Sequence, residues 1–159
     1  MGPRIYTPRE ANALVPKLSR AFEDIDQIKA RLKTIKGKVD VLEMIWGDEV
    51  RAETNPDHRE YAHYMDEIEK SKKDFDAASK RFAEFEAVVK SVEQGLVDFY
   101  GVIENRLVFL CWQRGEKSIE YYHHLEDGFP GRQPIPAEEL AAPAQTIDRA
   151  FRLAATCAS

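Results

Sequence analysis

From Leu14 onward, Leu18, Phe22, Ile25, Ile28, Leu32, Ile35, Val39 and Leu42 recur at steps of three or four residues. The mean step is about 3.5, the period of a seam between paired helices rather than of an isolated amphipathic helix. Thr7-Pro8-Arg9-Glu10 marks the start, with a hydroxyl at the cap, proline at the first helical position and a glutamate three residues after the cap. A first helix is predicted over residues 7–46. Pro16 and Gly37 lie inside it, yet the seam keeps its phase through both, so a kink is expected near Pro16 and no break at Gly37.

The same spacing returns in Tyr61, Met65, Ile68, Phe75, Phe82, Phe85, Val89, Val92 and Leu96, after Asp57 and Glu60, which read as a second capping box. This predicts a second helix over residues 57–94, carrying acid-before-base pairs such as Asp66–Lys70 and Glu69–Lys73 on its outer face. A connection of about ten residues makes the two helices antiparallel neighbours. The basic run Lys29, Arg31, Lys33, Lys36 and Lys38 then faces acids such as Asp74 and Asp76.

After Gln94-Gly95 the period changes. "LVDFYGVIENRLVFLCW" is rich in β-branched and aromatic residues around Glu104-Asn105, a natural tight turn. Gly115 turns the chain again, and "SIEYYHH" reads either as a strand with Ile119, Tyr121, His123 and Leu125 on one side, which its aromatic and β-branched content favours, or as a short helix that stacks Glu116, Glu120, His123 and Asp127 on one face. A small antiparallel β-meander is therefore predicted over residues 96–125, a Gly/Pro loop over 126–136, and a short C-terminal helix over 143–157 with Ile147, Phe151 and Ala154 as its stripe. The expected fold is a single α+β domain over residues 1–159: a long antiparallel two-helix, coiled-coil-like hairpin, a small antiparallel sheet, and a short C-terminal helix.

Composition narrows the function classes. The chain of 159 residues carries a net charge of -5, with no excess of Lys and Arg to neutralise phosphates, so nucleic acid is not an expected partner. Its longest apolar run, Leu107 to Trp112, falls far short of a bilayer span, so no membrane is expected either. Two cysteines, Cys111 and Cys157, and an opening stretch without an apolar signal segment fit reduced thiols in a cytoplasm. A two-helix hairpin leaves the edges of its seam open, which predicts self-association as a dimer.

The chemistry is concentrated after Trp112. No Gly-rich phosphate loop, G-x-S-x-G elbow, paired C-x-x-C or H-E-x-x-H motif occurs. Glu116, His123 and Asp127 supply the mixed nitrogen and oxygen donors that divalent zinc, manganese or iron accept. On a straight strand Glu116 and His123 stand about 23 Å apart, so they share an ion only if the segment folds back. Arg132, bracketed by Gly131 and Gln133, offers a fork suited to a carboxylate or phosphate, or alternatively a latch that pairs with an acid and holds the loop shut. Cys111 reads as a small buried hydrophobe. Glu60-x-x-His63 has the spacing of a di-iron motif but lacks a second copy on the first helix.

Three stretches, "YTPREANALVPKL", "GLVDFYGVIENRLVFLCW" with Gly115-Glu116, and His123 ahead of "GFPGRQPI", resemble the bacterial family catalogued as domain of unknown function 2203. The resemblance implies no activity. It places any shared function at Cys111, Trp112, Glu116, His123, Gly128, Phe129, Gly131 and Arg132, with Trp112 and Arg132 as the expected ligand contacts. Two functions are open at this point: binding of a divalent metal or a small anionic ligand of unspecified identity, or a non-catalytic interaction module acting through the helical hairpin.

Overall fold

The computed structural model describes residues 3–141. Its elements run α1 (Pro8–Trp46), α2 (His58–Arg81), β1 (Val88–Ser91), β2 (Leu96–Ile103), β3 (Arg106–Gln113), β4 (Tyr121–His124), β5 (Gln133–Pro134) and α3 (Ala137–Ala141). The fold is α+β, with long helices followed by an antiparallel sheet and a short helix. The helix expected over 143–157 lies outside the described residues. By contact the chain divides into two compact units, Ala21–Arg81 and the remainder, residues to Arg20 with those from Phe82 onward.

The capping box at the start of α1 is reciprocal. Glu10 N–H donates to Thr7 Oγ1 at 3.1 Å, and Thr7 N–H donates to Glu10 Oε2 at 3.2 Å. The helix continues unbroken through Pro16 and Gly37. Within Ala21–Arg81 most of the seam predicted from spacing is buried: Ile35, Val39 and Leu42 pack with Tyr61 and Ile68, and with Val50 from the turn, whereas Met65 is exposed. Arg81 pairs with Asp24 and Arg31 with Asp74, each at 3.3 Å, which fixes an antiparallel register for the hairpin. At its turn Asp57 does not cap α2 with its side chain. Its carboxylate accepts from Trp46 Nε1 at 2.7 Å, while Glu60 accepts from the Tyr64 hydroxyl.

Helix α2 ends at Arg81, short of the expected 57–94. A 3-10 turn over Phe82–Phe85 follows, Glu86 takes φ 48°, and β1 begins at Val88. The spacing of Val89, Val92 and Leu96 mimicked a helical seam, but pairing decides otherwise. Val88 lies opposite Asp98 and Val89 opposite Val97, so these backbone groups are satisfied by the sheet.

The five strands follow one another in chain order, all antiparallel. Glu104 and Asn105, at φ 50° and 61°, make the tight turn that sets Asp98 opposite Cys111 and Gly101 opposite Val108. Strand alternation then sorts the sheet. One face carries Val97, Phe99, Ile103, Val108, Leu110 and Trp112, all buried. The start of the chain packs there: Tyr6 meets Phe99 edge-to-face at 5.1 Å, and Asn12 holds both backbone groups of Ile119. Gly101 is required on this face, because a Cβ would stand 2.7 Å from Leu110 Cγ.

Candidate metal centre

The opposite face of the sheet carries Leu96, Asp98 and Tyr100 on β2, Phe109 and Cys111 on β3, and Tyr121 and His123 on β4. A second face of an antiparallel sheet is commonly half-solvated and polar. Here three residues with chemistry are buried instead: Asp98, Cys111 and His123. Their positions follow from the ladder. Asp98 is the direct cross-strand partner of Cys111, and His123 stands two residues along β4 from Tyr121, the partner of Cys111 on its other side.

One ligand atom from each residue, a carboxylate oxygen, Sγ and an imidazole nitrogen, lies within 4.8 Å of the other two. His123 Nε2 is 3.0 Å from Asp98 Oδ2, and both side chains are 3% accessible. The other ring nitrogen, Nδ1, lies 2.9 Å from the backbone carbonyl of His124. A carbonyl can only accept, so Nδ1 carries the hydrogen and Nε2 is aimed into the cluster. This is the orientation in which a metal-ligating histidine is held. Burial pushes the Cys111 thiol up to about 12, reinforced by the charge of Asp98 and by a hydrogen bond to it, while the nearby Arg132 guanidinium pulls the other way. The cysteine is therefore a neutral thiol, not a free nucleophilic thiolate, unless a cation takes the place of its proton.

A cavity of about 170 Å³ lies against the cluster, bounded by Lys90, Leu96, Gly128 and Phe129 along with the three donors. The loop that covers this face is latched. Arg132 Nη2 donates to Glu116 Oε1 at 2.7 Å, and its guanidinium lies 4.3 Å from the Tyr121 ring centroid and 4.7 Å from that of Phe129. With the Arg132 side chain only 12% accessible, this pair escapes most of the screening that makes surface ion pairs weak.

The residues singled out from sequence are thus distributed among different tasks. His123 enters the cluster. Glu116 does not: one carboxylate oxygen takes Arg132 and the other accepts from Gln113 N–H at 2.8 Å. Asp127 is exposed on the covering loop, its Cβ backed against Gly131. Arg132 is committed to the latch. Trp112 cannot reach a ligand in the cavity, since it is 0% accessible on the opposite face, with its indole N–H donating to Glu116 O at 2.9 Å. Asp98 carries no expectation from sequence, and Cys111, one of the positions the family resemblance points to, reads from its own surroundings as core. The available signal was a carboxylate at the third position of the otherwise apolar strand "LVDFYGVI", placed opposite Cys111 by the Glu104-Asn105 turn.

The sequence model of the family described as "Uncharacterized conserved protein (DUF2203)" matches residues 4–135. The chain belongs to this family. The DUF2203 match spans α1, α2 and the whole sheet, so the cluster, the cavity and the Arg132–Glu116 latch all lie within it. No curated protein and no solved structure matches the chain. Among the described residues no helix is long and apolar enough to cross a membrane.

Proposed function

We propose that the protein binds a divalent metal ion of the zinc class through the Asp98 carboxylate, the Cys111 thiolate and His123 Nε2. One observation carries this reading: three buried donors of different type converge on one sheet face, with the imidazole already turned by a carbonyl on its far side. The donor set narrows the metals considered from sequence, because a thiolate favours zinc or iron over manganese. Three protein donors leave a fourth position for water or a ligand, the arrangement of a metal that acts as a Lewis acid rather than as a structural staple. Glu116 and Arg132 serve by holding the cover in place.

The test is elemental analysis of the purified protein, repeated on His123→Ala and Cys111→Ser. One metal per chain, lost in both variants, is the expected result. A wild-type protein that takes up no zinc or iron when refolded with either would refute the site.

A second reading rests on a separate observation. Val41, Met44 and Ile45 form an exposed apolar row on α1, with Met44 86% accessible. Rows of this kind on a helix mark association surfaces. The occupant that fits is a second copy of the chain, and Met44→Glu would then shift a dimer mass to a monomer mass in light scattering. A wild-type monomer at micromolar concentration ends this reading.

A further inference from the structure

We propose that the cavity beside the cluster receives a small carboxylate with a short apolar substituent, its negative group held between the metal and Lys90. This deepens the metal reading and rests on it. The first observation is a bulge. Val89 pairs with Val97 and Ser91 with Leu96, so the register of β1 slips and Lys90 is the extra residue between them. Bulges re-aim a side chain, and they gather beside sites where that matters. Here Lys90 lines the cavity, with Nζ 4.7 Å from the Phe109 ring centroid, and that ring is 5.5 Å from the His123 ring.

Charge counting supplies the second step. A divalent ion with the Asp98 carboxylate and the Cys111 thiolate is neutral, and the imidazole adds nothing. Arg132 is matched by Glu116. Lys90, exposed on β1 and with no carboxylate partner among the described residues, lines the same cavity, which leaves one positive charge at its wall. A single negative charge balances it. Leu96 and Phe129 give the rest of the wall an apolar character, which suits a hydrocarbon substituent better than a second anionic group. The volume, about 170 Å³, is close to the ~150 Å³ of a cavity that holds benzene.

The experiment uses the full chain loaded with Co²⁺, whose visible and thiolate charge-transfer bands report the coordination sphere. Benzoate and butyrate are titrated as probes, with benzyl alcohol as a neutral control and inorganic phosphate as a more highly charged one. Saturable band shifts with the two carboxylates, and none with the alcohol or phosphate, support the proposal. Lys90→Gln should weaken carboxylate binding at least about tenfold while leaving Co²⁺ stoichiometry intact, and Lys90→Arg should restore most of it. Co²⁺ uptake with no response to either carboxylate, or equal binding by Lys90→Gln, overturns the carboxylate site alone. Failure of the wild-type chain to take up Co²⁺ removes the metal reading and this one with it.

Discussion

Truncating either partner of the buried Asp98–His123 pair tests whether the cluster is an energetic unit. The pair is 3.0 Å long and 3% accessible at both ends, so solvent screening does not shrink it. Removing one member of such a pair costs about 3–5 kcal/mol, because the other stays buried without its complement. The two truncations are not equivalent. His123→Ala strands the Asp98 carboxylate with only the Cys111 thiol as donor, and belongs at the upper end of that range. Asp98→Ala leaves an imidazole that can stay neutral and keeps its Nδ1–H bond to the His124 carbonyl, so its cost falls to about 1–3 kcal/mol.

Urea unfolding in EDTA reads both without interference from bound metal. With a slope of about 2 kcal/mol/M, His123→Ala should lower the midpoint by about 2–2.5 M. The double variant should then cost at least about 2 kcal/mol less than the summed singles, since it has no stranded partner. Additivity within about 0.5 kcal/mol, or a cost under about 1 kcal/mol for His123→Ala, would show that the two side chains are neighbours without being coupled.

Three further outcomes follow from other parts of the structure. Gly101→Ala places a Cβ 2.7 Å from Leu110 Cγ and should destabilise the sheet by about 1–3 kcal/mol in urea melts; a neutral result would mean that β2 and β3 separate more readily than the register implies. Thr7→Ala removes the hydroxyl half of the reciprocal cap and should cost about 1 kcal/mol, with Thr7→Ser close to wild type by the same assay. The thiol of Cys111 ionises at about 12 in the folded chain against an ordinary value of 9.0, so the unfolded chain gives up this proton first. Stability of the metal-free protein should therefore be full below pH 9 and fall between about 9 and 12, and Cys111→Ser should flatten that part of the profile; parallel profiles would contradict the burial of the thiol.

The helical half of the fold was legible because its signals are local or periodic. A cap is four consecutive residues, and Thr7 with Glu10 form it as read. The seam repeats over many turns, so Ile35, Val39 and Leu42 could be assigned to a buried face without knowing what covers them. Where the signal was short, it misled. Val89 and Val92 continue the helical spacing by coincidence, and nothing local reveals that Val88 and Val89 will be claimed by β2. The hydroxyl of Tyr6 donates to Phe85 O, so part of what terminates that segment comes from a residue 79 positions earlier. No window of sequence contains both.

The site was harder still, for a geometric reason. Reading ligands from "SIEYYHHLEDGFPGRQP" assumes that residues close in sequence converge, whereas a strand carries alternate neighbours to opposite faces and consecutive same-face residues about 6.6 Å apart. Convergence in a sheet runs across strands. The donors nearest His123 in space are Asp98 and Cys111, supplied by β2 and β3, and the acids expected beside it from sequence are spent elsewhere: Glu116 on Arg132 and Gln113, Asp127 on an exposed loop. Half of the arrangement was within reach, since the Glu104-Asn105 turn alone fixes Asp98 opposite Cys111. The other half depends on how β4 registers against β3 after the seven residues Arg114–Glu120, where Gly115 signals a turn but the connection is too long for it to set the alignment. A one-residue slip there would exchange His123 for Tyr122 or His124 on the cluster face, so the register of β4 decides which side chain joins Asp98 and Cys111.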